Sequence, residues 1–139
     1  MKQHKKLVRL SDYRPYPFRI PFIELNFSIH KEYVLVENTM RIEPLSKESI
    51  PLALKGCNLK IEEISFETKD CRKVEYMHQG ENLIVKNIPT SPFTIKIINR
   101  INPFKNTSLE GLFLSGSLLT SQCEAEGFRR ICFHPDRPD

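Results

Sequence analysis

The sequence predicts an all-β, sandwich-like domain with a short helical segment near its C-terminus. Apolar and polar residues alternate with a period of two along most of the chain, and turn-forming residues interrupt that alternation every several positions. No long stretch has the period of an amphipathic helix. Short strands with these properties usually pack as two layers around one core. The length of 139 residues suits a single domain, which we expect to span 1–139.

The first two alternating runs predict a hairpin. A proline-rich segment, 15–21, should be extended but poor at central sheet pairing. The first run should bury the face formed by Ile23, Leu25, Phe27 and Ile29. The second run follows after a short connection, which favours antiparallel pairing, and its buried parity comprises Val34, Val36, Met40 and Ile42.

The segment 59–66 changes parity part-way along. Its apolar residues are odd-numbered up to Ile61 and even-numbered from Ile64 onward. One extra residue at Glu62-Glu63 would reverse the facing of everything after it, so we expect a β-bulge there. Further strands are predicted in 73–77, 82–88 and 93–101, then two short ones around Ser115-Gly116. A helical turn or two is expected in 124–133, where acidic residues precede arginines in the order that a helix dipole favours.

Composition argues against several classes of function. The net charge of +4 is modest, and the basic N-terminal residues lack the interleaved aromatics of a nucleic-acid surface. Neither a membrane span nor a secretory signal is expected, so we predict a cytoplasmic protein with no nucleic-acid or membrane partner. The four cysteines have no metal-binding spacing and are expected to be reduced thiols rather than zinc ligands: Cys57, Cys71, Cys123 and Cys132.

No self-contained catalytic motif is present in the sequence. It contains no HExxH, no GxSxG and no phosphate-binding glycine loop. On pattern alone, Glu124 and Glu126 are typical of carboxylates at a helix start, and Arg129 and Arg130 are typical of surface or acid-paired arginines.

Two C-terminal blocks carry a resemblance to a known family. The run "INPFKNTSLEGLFLSG" (101–116) and the block "TSQCEAEGFRRICFHPDRPD" (120–139) closely resemble the end of the N-terminal domain of aminopeptidase N, a family of zinc metallo-aminopeptidases of the gluzincin class. The opening "LSDYRPYPFRIPFIELNFSI" (10–29) is similar to that domain's start. The resemblance implies an antiparallel β-saddle or sandwich that packs against a thermolysin-like catalytic domain. That catalytic domain contains a GxMEN loop and binds zinc through HExxH and a further Glu.

The resemblance also implies roles for individual residues. Glu124 occupies the position whose carboxylate, together with the glutamate of GxMEN, binds the free α-amine of a peptide substrate. Gln122 occupies the position that lines the pocket for the first side chain. Glu126 is interpreted as a helix-start acid, with assistance to the amine ligand as the alternative. No residue of this chain is expected to bind zinc or to be catalytic by itself, so the isolated chain should be inactive.

A second interpretation is a stand-alone β-sandwich module that binds a protein or a peptide terminus without enzymatic activity. The reading frame beyond Asp139 distinguishes the two interpretations. Continuation into GxMEN and HExxH would support the enzyme, whereas a stop codon would support the module.

Overall fold

The computed structural model describes residues 9–68 and 73–137. These residues form three antiparallel sheets, with strand orders β1-β2-β7-β4, β3-β6-β5 and β8-β9. The nine strands are β1 Phe18–Ile29, β2 Val34–Pro44, β3 Leu52–Lys55, β4 Lys60–Phe66, β5 Tyr76–Gln79, β6 Asn82–Val85, β7 Phe93–Ile101, β8 Gly111–Ser115 and β9 Leu118–Gln122. The predicted all-β class is confirmed.

The core lies between the first two sheets. β2 and β7 are the central strands of the four-stranded sheet. Their residues alternate between buried positions, which are apolar except for Asn38 and Asn99, and more exposed ones, as period-two strands require. Their inward residues pack against Leu52 and Leu54 of β3 and Leu83 and Val85 of β6 in one cluster. Two layers therefore enclose a single core, as the alternation predicts.

Both irregular features of the large sheet follow from the sequence. The register of β4 on β7 shifts between Ile61 and Glu63, which confirms the predicted bulge. The register of β1 on β2 shifts between Arg19 and Phe22, where Pro21 has no backbone N–H to donate. β1 is accordingly an edge strand.

The prediction of a buried face on β1 is wrong for most of that strand. Ile23, Phe27 and Ile29 are exposed, and only Leu25 is half-buried. Ile23 lies opposite Met40 and Phe27 opposite Val36, so the side chains point to the expected face of the sheet. These side chains are exposed because, among the described residues, the second layer packs on β2 and β7 and does not cover the edge strand. Alternation predicts the direction of a side chain but not whether another layer reaches it.

The last part of the chain is less regular. β8 and β9 form a hairpin, as predicted, and a 3₁₀ turn at Gly127–Arg130 follows. The expected helical segment is thus a single turn. Within the described part of the chain, no helix has the length and apolar content needed to cross a membrane.

Candidate functional site

The residues that follow β9 form a tight exposed turn, Gln122–Gly127, here called the Glu124 turn. Gln122 is the last residue of β9 and pairs with Gly111 at the start of β8. The chain then reverses, and the Gly127 N–H donates to the Cys123 carbonyl at 2.9 Å. The peptide bond between Glu124 and Ala125 is cis. The side chains of Gln122, Glu124 and Glu126 are all exposed.

Two glycines allow the turn to lie close to the hairpin. A β-carbon on Gly127 would lie 2.5 Å from the Gln122 carbonyl oxygen and 3.2 Å from the Gly111 nitrogen. Gly111 has a φ of +73°, which L side chains rarely adopt, and a β-carbon there would lie 2.6 Å from Cβ of Arg130. The sequence therefore uses glycine where backbone packs against backbone.

Glu124 and Glu126 have different surroundings. Glu126 is ion-paired with Arg129, its Oε1 lying 3.3 Å from Nη2. It precedes the 3₁₀ turn without capping it through its side chain. Glu124 forms no hydrogen bond or ion pair within residues 9–68 and 73–137. Its carboxylate is therefore available to a ligand, whereas that of Glu126 is already engaged.

Arg129 lies behind the turn and contacts three carboxylates. Nε is hydrogen-bonded to Asp136 Oδ2, and Nη1 lies 3.5 Å from Oε2 of Glu81, in addition to the contact with Glu126. Only 16% of the Arg129 side chain and 9% of the Asp136 side chain are exposed. Burial alone would lower the pKa of Arg129, but Asp136, Glu126 and Glu81 together raise it, so the guanidinium stays charged.

The neighbouring arginine has a simpler environment. Arg130 Nε lies 3.0 Å from Oε2 of Glu110, an exposed residue of the loop before β8. Asn106 holds that loop in shape, because its amide nitrogen donates to the carbonyls of Glu110 at 2.8 Å and Leu112 at 2.9 Å. Both arginines thus pair with acids of this same chain, one of the alternatives that the sequence left open.

The segment after the 3₁₀ turn enters the core. Ile131, Cys132 and Phe133, here called the anchor, are 4%, 0% and 0% exposed. Two buried asparagines of the large sheet bind its backbone: Asn38 donates to the Phe133 carbonyl at 2.8 Å, and Asn99 donates to the Ile131 carbonyl at 3.0 Å. The Glu124 turn is therefore followed, after the 3₁₀ turn, by a firmly packed segment.

Burial keeps the described cysteine thiols in their protonated, less reactive form. Burial raises the pKa of the Cys132 thiol to about 12, and burial also raises the pKa values of Cys57 and Cys123. Burial lowers the pKa of His134, against the opposing effect of Asp136. Across residues 9–68 and 73–137, no three His, Cys, Asp or Glu side chains come together as a metal-binding group. Cys71 lies outside the described residues.

Sequence comparison identifies the relatives of this chain. It is 37% identical to aminopeptidase N of Escherichia coli over 139 residues, which is 100% of this chain and 16% of that protein. It is 36% identical to aminopeptidase N of Caulobacter vibrioides over 132 residues, 95% of this chain and 15% of that protein. The chain belongs to the aminopeptidase N family and corresponds to one domain of these proteins. No family model matches the chain.

Solved structures share the fold of this chain. A Legionella pneumophila aminopeptidase A, solved with aspartic acid, is 29% identical and superposes with a TM-score of 0.81 over 95% of this chain and 16% of that protein. A zinc metallopeptidase from Deinococcus radiodurans, 13% identical, shares the fold with a TM-score of 0.70 over 88% of this chain and 30% of that protein. The chain thus spans about one sixth of the length of its curated relatives.

The structure places both sequence-predicted site residues of this aminopeptidase N domain on one exposed turn. Gln122 and Glu124 lie at its first arm and its tip. Sequence reasoning missed the buried asparagines that bind the anchor. A signal was available for both, because Asn38 stands at the parity of Val36 and Met40 and Asn99 at that of Ile97 and Ile101, where an unpaired amide would be costly.

Proposed function

We propose that this chain is the N-terminal domain of a zinc-dependent aminopeptidase that releases N-terminal amino acids from peptides. In this proposal the domain contributes recognition of the substrate α-amine and packs on the catalytic domain of the same polypeptide. It is not catalytic alone. The resemblance of the block 120–139 and the 36–37% identity to aminopeptidase N support the proposal.

The observation that carries the proposal is the free carboxylate of Glu124. It stands at the tip of an exposed turn, has no partner among the described residues, and follows a strand that positions its backbone. A carboxylate that recognises a ligand needs this combination of free acceptor oxygens and a fixed origin. Glu126, two residues away, lacks it because Arg129 binds its carboxylate.

The chemistry of the substrate suits a carboxylate at this position. An aminopeptidase must accept a chain end and reject an internal peptide bond, and the distinguishing group is the terminal ammonium. A hydrogen bond from an ammonium to a carboxylate contributes about 1.5–3 kcal/mol, whereas an internal amide would leave the carboxylate poorly paired in a closed cleft. The same contact fixes which peptide carbonyl reaches the reacting centre.

The remaining roles are assigned to neighbouring parts of the enzyme. Gln122, on the arm of the turn next to Glu124, is proposed to line the pocket for the first side chain. Zinc, named for the Deinococcus radiodurans relative, is proposed to be bound by the catalytic domain outside this chain. When bound there, the metal supplies the chemistry of peptide-bond cleavage.

The test is Glu124→Gln in the complete enzyme that carries this chain. Loss of the charge should lower kcat/KM for free-amine peptides roughly 10- to 150-fold, the equivalent of about 1.5–3 kcal/mol. Zinc content should stay unchanged. An amino-acid hydroxamate inhibitor should lose affinity, and the matching hydroxamate without the amine should not.

Glu126→Gln is the matched comparison, because it makes the same chemical change two residues away. It should lose at most about threefold in kcat/KM, since an exposed ion pair contributes little. The proposal fails if the two variants lose activity equally. It also fails if Glu124→Gln weakens both hydroxamates by the same factor.

A further inference from the structure

We propose that Arg129 is a positioning residue for substrate recognition, and that its ion pairs hold the Glu124 turn where the α-amine binds. This inference rests on the proposed function of Glu124 and deepens it, because neither the sequence pattern nor the relatives assign a role to Arg129. The residue that binds the ligand is Glu124. Arg129 acts on it only through the turn.

The position of Glu124 is set by its backbone. Its side chain has no partner within the described residues, so the position of the carboxylate depends on the two arms of the turn. The first arm is β9, which is paired with β8 along its length. The second arm is the 3₁₀ turn Gly127–Arg130, which belongs to no sheet. The second arm is held instead by the anchor that follows it and by the contacts of Arg129.

Arg129 joins that second arm to three other segments of the chain and to Glu126, the residue immediately before the arm. Its guanidinium contacts Asp136 beyond the anchor, Glu81 in the β5–β6 connection and Glu126 in the Glu124 turn itself. Its carbonyl accepts a hydrogen bond from the Cys57 N–H at 2.7 Å. A planar guanidinium with five donors can satisfy several carboxylates at once, which a lysine ammonium cannot do with the same geometry.

Burial distinguishes the Arg129–Asp136 pair from the other two, because Glu81 and Glu126 are 49% and 72% exposed and form ordinary surface ion pairs. Both Arg129 and Asp136 are largely shielded from water, at 16% and 9% exposure, and a hydrogen-bonded pair in such surroundings is screened little by solvent. Glu126 is the outermost partner and lies two residues from Glu124. The cluster therefore links the tip of the turn to the interior of the domain.

Arg130 provides the internal comparison. It is the adjacent residue of the same 3₁₀ turn and also pairs with a glutamate, but its partner Glu110 is exposed and belongs to the loop before β8. Of the two arginines, only Arg129 contacts a residue of the Glu124 turn through its side chain. Comparing variants of the two residues therefore distinguishes the general effect of losing an arginine from a specific effect on the position of the Glu124 turn.

The experiment is a double-mutant cycle in the complete enzyme, with Arg129→Met combined with Glu124→Gln and Arg130→Met as the control. Arg129→Met should lower kcat/KM for a free-amine peptide about tenfold in the wild-type background, because small misplacements of a binding group are costly. In the Glu124→Gln background the further loss should be less than about twofold, since the group that Arg129 positions is already changed. Arg130→Met should lose less than about twofold in both backgrounds.

The hydroxamate pair supplies a readout that a purely structural role would not alter. Arg129→Met should weaken the amino-acid hydroxamate about tenfold, in line with the loss of a well-placed charged contact, and leave its amine-free analogue unchanged. Arg129→Lys should recover part of that loss, because one of the three ion pairs can re-form. If Arg129→Met does not fold, Arg129→Lys replaces it in the cycle, with an expected loss of about threefold that vanishes in the Glu124→Gln background.

The outcomes separate the two proposals. If Arg129→Met or Arg129→Lys lowers kcat/KM by the same factor in both backgrounds, or weakens both hydroxamates equally, Arg129 is a structural residue and this inference is overturned. If Glu124→Gln itself leaves kcat/KM unchanged, the proposed function of Glu124 is overturned, and the positioning role falls with it.

Discussion

The stretch from Gln122 to Phe133 contains two regions that differ in almost every physical respect. The Glu124 turn is exposed and is held by charge and by close backbone packing, whereas the anchor is buried and is held by apolar contacts and two asparagine amides. Fewer than ten residues separate them. The difference indicates a division of roles. The anchor fixes the position of the turn, so the carboxylate of Glu124 need not pair with another residue of the domain to be held in place.

The strongest test of this division is Phe133→Ala. Phe133 is fully buried, its ring packs edge-on against His78 at 5.3 Å between centroids, and a β-carbon on Gly56 would overlap it. Removing a buried aromatic ring should cost about 3–5 kcal/mol in the free energy of unfolding. Urea denaturation of the chain would measure it, with Leu114→Ala on the exposed side of β8 as the control. A loss below about 1 kcal/mol would contradict the role of the anchor.

The second prediction concerns the polar half of the anchor. Asn38→Ala should lower the free energy of unfolding by about 1–3 kcal/mol, because the Phe133 carbonyl would lose its donor in a buried site. Part of the cost is offset, since the substitution also removes an amide oxygen that has no partner among the described residues. Asn26→Ala, on the exposed edge strand, is the matched control and should have little effect. Equal losses in both variants would show that the buried hydrogen bond is not the cause.

The third prediction is a pH dependence at the end of the anchor. His134 packs against Phe128 with ring centroids 4.6 Å apart and ring planes tilted by 58°. Burial lowers the pKa of His134 in the folded state, while Asp136 opposes the shift and Arg129 adds to it. Between the folded pKa and the ordinary value of 6.5, the unfolded chain binds more protons, so stability must rise with pH. The stabilisation that comes from keeping His134 neutral is therefore complete above pH 6.5 and is lost as the pH falls below that value.

Comparison of His134→Gln with the wild type isolates this contribution. The free energy of unfolding of the wild type should fall more between pH 7.5 and 5.5 than that of His134→Gln, because all other titrating groups are common to both. Identical slopes in the two proteins would show that protonation of His134 does not disfavour the folded state.

The same division explains how much of the molecule could be predicted from sequence. Alternation and the parity change at Glu62-Glu63 are local signals, so the strands and the bulge were predictable. The coverage of β1 was not, because it depends on how far a second layer extends. Arg129 illustrates the same limit at the site: its partners Glu81 and Asp136 are 48 and 7 residues away, and only the fold brings them together. Glu124 was found through the resemblance, while its local pattern alone favoured a helix-start acid.

The smallest expected effect is the most informative about the turn. Glu124→Gln should change the free energy of unfolding by no more than about 0.5 kcal/mol, the usual range for surface substitutions, because the exposed side chain forms no hydrogen bond or ion pair with the described residues. Its effect on substrate recognition is expected to be large, so stability and function should separate at this residue. Gly127→Ala should behave in the opposite way and lose stability, since its β-carbon would meet the Gln122 carbonyl. Urea midpoints of the two variants beside the wild type test the contrast. If Glu124→Gln destabilises the chain as much as Gly127→Ala does, then Glu124 contributes to the stability of the fold, and its carboxylate is not free to bind a ligand.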